Sequence, residues 1–259
     1  MVSVYRPLSA IEGHSQQVDL FESRYAAALV DPFSSCFAYS RKRLQPWMDR
    51  SLPVNGPIRS VLDVGCGTGH QLAALTKLGF VMSGVDGSAE MVSAAKRLNP
   101  SLDVRVSRVE ALPFQDGSFD AVIAIELLRY LEDVNPALAE IHRVLSPNGI
   151  ALLTACPRYN LNGYTLLNRM TASGRLPGFT ALKQHFTTRR QLTRDLRSAG
   201  FGSVEIHGVY SGPLNWLERI APSLLRPVLR RWEPVDARIA DLGALREFSN
   251  MFVTLARKG

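Results

Sequence analysis

The chain has 259 residues, 46% of them hydrophobic, with three cysteines and a formal net charge of +7. That is ample for a buried core in one domain with insertions, or a domain plus a small cap. Scattered Cys36, Cys66 and Cys156 argue against a disulfide framework and fit a reducing cytoplasm. No apolar stretch approaches the ~20 residues that span a bilayer, and the start lacks a charged segment followed by an apolar run, so neither a membrane span nor a signal peptide is expected. The positive charge reads as a basic surface or as attraction for an anionic partner, whether small acid, phosphate, lipid headgroup or nucleic acid.

Residues 1–57 read as an N-terminal helical cap and linker, with helices over 18–30 and 34–48, Asp31-Pro32 between them, and a linker at 52–57. Strands and helices then alternate, as in an α/β sheet. Strands are expected over 58–64, 80–86, 102–106, 119–125 and 150–156. The helices between them cover 69–78 with Gly79 just past its end, a segment capped by Ser88 that stops before Pro100, and 136–145. Residues 158–186 form a long, partly helical connection, and 188–199 a helix ended by Gly200. Residues 203–210 and 251–256 read as the last two strands. The stretch between them, 211–248, is far longer than a hairpin needs. Leu214, Leu217, Ile220, Leu224, Leu225, Val228, Leu229 and Trp232 recur there at helical spacing, with Pro222 and Pro227 expected to break or kink the run.

The richest stretch is Val61-Leu62-Asp63-Val64-Gly65-Cys66-Gly67-Thr68-Gly69. An apolar strand runs into a glycine turn and then a helix, whose free backbone N–H groups face any ligand on the turn. The dinucleotide pattern G-x-G-x-x-G would need glycine at 70, which is His70; the chain has G-x-G-x-G. Asp86 ends the second strand, where one carboxylate can accept from both hydroxyls of a ribose. Further blocks follow at Val85-Asp86-Gly87-Ser88-Ala89-Glu90-Met91, at Glu110-Ala111-Leu112-Pro113-Phe114-Gln115-Asp116-Gly117-Ser118-Phe119-Asp120, and at Ile141-His142-Arg143-Val144-Leu145-Ser146-Pro147-Asn148-Gly149.

In order and spacing, over residues 58–156, these four blocks resemble the class I S-adenosylmethionine-dependent methyltransferases, of the small-molecule type. The resemblance implies a Rossmann-like, seven-stranded, mostly parallel sheet with helices on both faces and its last strand antiparallel. The domain would span 58–259, with insertions 157–187 and 211–248 forming the acceptor pocket or lid. The cofactor implied is S-adenosylmethionine. Gly65, Gly67 and Gly69 would face its methionine part, Asp63 would order the loop and amino group, and Asp86 would hold the ribose. Gly87, Met91, Val109, Glu110 and Ile125 complete the implied cofactor set, Met91 reading equally as adenine contact or plain core. Two positions depart from the family: Gly87 stands where an apolar residue usually follows the ribose acid, and Arg108 where an acid usually accepts the adenine amino group. Adenine contacts then fall to the Val109 backbone or to Glu110.

Methyl transfer is a displacement in which the cofactor carries the leaving group and the protein supplies alignment. A base is needed only for an acceptor protonated in its ground state. Candidates are His185, before the helix at 188–199, and Glu126 and Tyr130, with Arg129, after strand four. No histidine has metal-ligand spacing, so no metal is expected. Arg158, Arg169, Arg175, Lys183, Arg189, Arg190, Arg194 and Arg197 form a basic region compatible with an anionic acceptor or simply a solvated face. The leading reading is methylation, most readily on oxygen, of a small molecule that is anionic, lipid- or sugar-linked, or a secondary metabolite. A non-methylating cofactor-binding relative is the alternative. A nucleic-acid substrate is disfavoured, because Ile125-Glu126-Leu127-Leu128 lacks the Asp/Asn-Pro-Pro-aromatic motif of base-amine methylation. A homodimer and peripheral membrane contact through the 211–248 stripe stay open.

Overall fold

The computed structural model of the chain describes residues 10–163, 165, 166, 168 and 184–259. Three helices come first: α1 (Ala10–Ser15), α2 (Val18–Val30) and α3 (Cys36–Ser51). The Asp31 carboxylate accepts the Phe33 N–H at 2.9 Å, which turns the chain after α2. Ser35 then caps α3 by accepting from the Ala38 N–H at 3.1 Å. Helix α3 continues across Pro46 to Ser51, past the expected end at 48, because Leu44, Met48 and Leu52 are buried in the core.

The sheet is built from β1 (Ser60–Val64), β2 (Val81–Asp86), β3 (Asp103–Val106), β4 (Phe119–Ala124) and β5 (Leu145–Pro157). Helices α4 (His70–Lys77), α5 (Ala89–Leu98) and α6 (Asn135–Val144) alternate with them. After the short β6 (Phe186–Thr187) come α7 (Arg189–Ser198), β7 (Phe201–Gly208), α8 (Leu214–Ile220), α9 (Pro222–Ile239) and β8 (Phe252–Lys258). Among the described residues the strand order is β3-β2-β1-β4-β5-β8-β7, with β6 pairing parallel to the end of β5. Pairs β1–β2, β1–β4, β2–β3 and β4–β5 are parallel, while β8 runs antiparallel to both β5 and β7. The seven-strand path is the expected one; the two-residue β6 is an addition that its length hid.

Alternation along the central strands divides the core in two. Ala121 and Ile123 of β4, with Ile150 and Leu152 of β5, face a cluster holding Leu72 and Leu75 of α4, Val92 and Ala95 of α5, Tyr39 and Leu44 of α3, and Leu225 and Leu229 of α9. Val122, Ala124, Ala151 and Leu153 face the other way, onto Leu138 and Ile141 of α6 and Leu192 and Leu196 of α7. Helix α3 and the 211–248 insertion therefore share a core with the sheet.

Three expectations are corrected. Strand β5 starts at Leu145 rather than 150, because Phe119 pairs with Leu145 and an irregularity absorbs the Ser146–Gly149 turn. Pro222 does break the insertion, opening α9, but the helix runs on through Pro227 and Pro234. Burial of Leu225 and Leu229 outweighs the lost backbone bonds there. The last two strands are shifted to 201–208 and 252–258. The connection 158–186 lies largely outside the described residues. Among those described, no helix is long and apolar enough to cross a membrane.

Candidate active site

Strand order reverses on either side of β1, and in such sheets the crevice at the strands' carboxyl ends is where ligands bind. A cleft of about 1030 Å³ opens there, room for a nucleoside-sized molecule and a second small one. Its floor begins at the glycine turn. Gly65, Gly67 and Gly69 have φ of 75°, 53° and 76°, the left-handed region that glycine enters without strain. The turn is fixed by the N–H groups of Gly65 and Cys66, which donate to Val85 O at 2.8 and 3.0 Å. The glycines face different surroundings. A Cβ on Gly67 would meet nothing within 4 Å, so this peptide lies open to the cleft. One on Gly69 would lie 2.8 Å from Ala95 Cβ, so Gly69 lets α4 approach α5 and is not part of the lining.

Asp86 lies beside the turn. Its Oδ2 accepts from Gly67 N–H and its Oδ1 from Ser88 N–H, both at 2.9 Å. The carboxylate is thus aimed before any ligand arrives, with one lone pair still free on each oxygen. Burial raises its pKa, opposed by those two backbone donors and by His14. Ser88 also caps α5 through Met91 N–H at 3.1 Å, seating Met91 in the lining. Gly87, Val109, Glu110 and Ile125 line the same region. Arg108 does too, but its guanidinium is turned to the Glu110 carboxylate at 3.3 Å. Asp63 is buried behind the turn, outside the lining; burial pushes its pKa up to about 7, Arg41 opposing and Asp86 adding to the rise.

Across the cleft, Glu126 follows β4 with φ of 63°, unusual for a side chain of its size. Its N–H donates to Thr154 Oγ1 at 2.7 Å, and its carboxylate pairs with Arg129. Burial would raise the Glu126 pKa, yet Arg129 and Arg41 outweigh it and hold the carboxyl below its ordinary value. Arg129 also donates to Gln184 Oε1 at 2.7 Å. Tyr130 lines the cleft beside them. His185 does not: its backbone N–H donates to Arg129 O at 2.7 Å, and its ring lies outside the lining.

The roof comes from the N-terminal cap, where acceptor specificity is expected but no single residue is assigned. Ile11 and His14 of α1, Phe21 and Tyr25 of α2, and Phe37 and Arg41 of α3 all line the cleft. Tyr25 stacks on His70 at 4.7 Å and meets Phe37 edge-on at 5.1 Å, with the Arg41 guanidinium over both rings. His14 meets Tyr130 edge-on at 4.4 Å, and burial keeps its imidazole below its ordinary pKa. From α8, Glu218 accepts the Cys36 N–H at 3.1 Å, joining insertion to cap. The basic run is elsewhere. Arg158, Arg189, Arg190, Arg194 and Arg197 are outside the lining, Arg189 pairing with Glu247 at 2.8 Å, while Arg169, Arg175 and Lys183 lie outside the described residues. Among the described residues no cluster of His, Cys, Asp and Glu is placed to hold a metal ion.

Residues 62–153 match the family model described as a methyltransferase domain. A ubiquinone biosynthesis O-methyltransferase of Thiobacillus denitrificans is 29% identical over 181 residues, 67% of this chain and 77% of the relative. A demethylmenaquinone methyltransferase of Chlorobaculum parvum is 37% identical over 94 residues, 36% of this chain and 39% of the relative. The chain spans between 29% and 66% of the length of the first curated relatives it matches. The fold is shared with a possible histamine N-methyltransferase from Thermotoga maritima, at TM-score 0.61, 18% identity and coverage of 95% and 98% of the two chains. It is shared also with the (4+2)-cyclase SpnF, at TM-score 0.63, 19% identity and 99% of both chains. Matched blocks, strand order and the cleft at the switch point agree: residues 62–153 match a methyltransferase domain, on a sheet of the class I S-adenosylmethionine-dependent type.

Proposed function

We propose that the protein moves a methyl group from S-adenosylmethionine to a hydroxyl oxygen of a small aromatic acceptor. The observation that carries this reading is the pairing of two unlike surfaces across one cleft. Below are the open Gly67 peptide and the pre-aimed Asp86 carboxylate; above are the rings of Phe21, Tyr25, Phe37 and Tyr130. The O-methyltransferases among the relatives support the choice of oxygen. The charge of the cleft does not favour an anionic acceptor over a neutral phenol, because lining arginines 24, 41, 108, 129 and 219 are matched by acids 12, 86, 110, 126, 132, 133 and 218.

The residues present fit the cofactor. Gly65 and Gly67 offer backbone to its amino-acid end, Asp86 its ribose acceptors, and Met91, Val109 and Glu110 flank the place of the base. S-adenosylmethionine, when bound, supplies a methyl group already activated on sulfonium. What falls to the chain is alignment of the acceptor and removal of its proton. We assign proton removal to His14 rather than His185: it lines the cleft, touches Tyr130, and burial keeps its ring neutral and able to accept. Glu126, held ionised by Arg129, keeps a negative charge facing the cationic ligand, and Tyr130 packs against the acceptor. The cap helices α1 to α3 and the 211–248 insertion enclose that acceptor.

Incubating the protein with S-adenosylmethionine and a panel of mono- and dihydroxylated aromatics, read by mass spectrometry, tests the proposal. Gain of one methyl group on a phenolic oxygen is expected. Cofactor binding with an acceptor rearranged but unmethylated would instead make the protein a non-methylating member of the fold.

A further inference from the structure

Gly87 lies between Asp86 and the capping Ser88, on the cleft floor. Its backbone is outside the left-handed region, so its conformation does not demand glycine. The space is already taken: a Cβ there would lie 2.9 Å from Ile11 Cδ1 and 3.1 Å from Ile11 Cγ1, so the Ile11 side chain would have to move. The volume that a side chain at 87 would occupy is filled by a side chain from α1, distant in the chain, and both residues line the cleft.

Other contacts hold α1 over this spot. Ser15 Oγ donates to Ser88 Oγ at 2.9 Å, and His14 lies within electrostatic reach of Asp86. The next helix is tied to α5 by Glu22 and Arg97 at 3.6 Å.

Resting on the cofactor reading above, we propose that Ile11 is part of the adenosine site. Its branched side chain is the apolar wall beside the ribose carboxylate that a glycine at 87 does not supply. Bare backbone at 87 is the matching half of the device, since it lets α1 settle onto the floor. The ligand class is an adenosine moiety, whose purine face buries against that wall. Helix α1 is therefore held down by bound ligand.

The test is a reciprocal exchange in the full chain, read by calorimetric titration with S-adenosylhomocysteine. Ile11→Ala should weaken binding about tenfold, the scale of losing most of a buried aliphatic side chain. Gly87→Val should weaken it as well, by pushing α1 away. The double variant I11A/G87V should return to within about threefold of the parent, and this rescue excludes simple misfolding. Amide hydrogen exchange over residues 10–15 should slow on ligand addition in the parent and not in I11A. Unchanged affinity in I11A, or a double variant as weak as the two losses multiplied, would overturn this inference alone. A parent chain that binds no S-adenosylhomocysteine would overturn it together with the cofactor reading.

Discussion

On the floor of the cleft, the groups that face a ligand are backbone atoms and one carboxylate, set by a glycine turn and two strand ends. On the roof they are side chains: an imidazole, a guanidinium and several rings from three helices that precede the sheet, with one short helix that follows β7. The floor is rigid because the sheet makes it; Gly65, Cys66 and Gly67 are all bonded to β2 residues. The roof is anchored by α3, which shares the apolar core with the sheet, and by long-range polar contacts such as Ser15 to Ser88, Cys36 to Glu218 and Tyr39 to Asp236. A site so divided can keep one cofactor while its acceptor changes, since roof residues can vary without disturbing the sheet.

The largest effect is expected where the roof can fall without the floor. Asp236 is fully buried, and accepts from Tyr39 OH at 2.7 Å and from the Ser211 N–H and hydroxyl at 2.7 and 2.8 Å, with Arg43 Nε at 3.3 Å. Asp236→Ala leaves those donors unpaired and should cost about 3–5 kcal/mol in denaturant unfolding. S-adenosylhomocysteine affinity at low temperature should stay near that of the parent; a large loss would mean that floor and roof are one unit.

Next in size is the roof's chemical contribution. His14→Gln should lower kcat by roughly 10²-fold, the low end for losing a general base, while leaving the cofactor Kd within a few fold. Parent activity should fall with acidification, through a pKa below the ordinary imidazole value, because burial depresses it. A pH profile that H14Q shares would remove His14 from the proton transfer.

For the floor, Asp86→Ala should weaken S-adenosylhomocysteine binding by roughly 1–3 kcal/mol, the cost of losing hydrogen bonds to a charged group. It should spare kcat at saturating cofactor; a kcat loss with unchanged Kd would place the carboxylate in the roof's chemistry instead. The smallest effect on the cleft's chemistry comes from Asp63, which stands outside the lining. Its protonated form is favoured in the folded state, with a pKa raised to about 7 by burial. The folded chain then holds more protons than the unfolded one between about pH 4 and 7, so stability falls as pH rises through that window. Asp63→Asn should flatten the decline and gain about 2–3 kcal/mol at pH 8 relative to pH 5. An unchanged pH slope in the ligand-free protein would show that Arg41 keeps Asp63 ionised.

The floor was legible because its rules are local. A glycine turn after an apolar strand, Ser88 at a helix start and an acid at the end of β2 are each visible within a few residues, and all stand where the spacing puts them. The roof was not. His14 looks isolated in the sequence, and Phe21, Tyr25 and Phe37 look like ordinary helix residues; only tertiary packing carries them to a turn far downstream in the chain. A length of helix cannot report which of its faces meets a distant loop. His185 and the described arginines of the basic run were read from sequence neighbours in the same way, and they stand outside the cleft lining. The same limit hid the run of α9 through Pro227, where buried leucines decide against local propensity.

Strand β8 enters the sheet between β5 and β7, so β7 meets the sheet only through a strand made after it. During synthesis, residues 201–208 emerge with no partner to pair with, and the free side of β5 stays uncovered until residues 252–258 leave the ribosome. Over that interval the nascent chain carries two unpaired strand flanks, the kind of surface on which chains join one another. The yield of this protein in cells should thus depend on how quickly translation runs from β7 to β8.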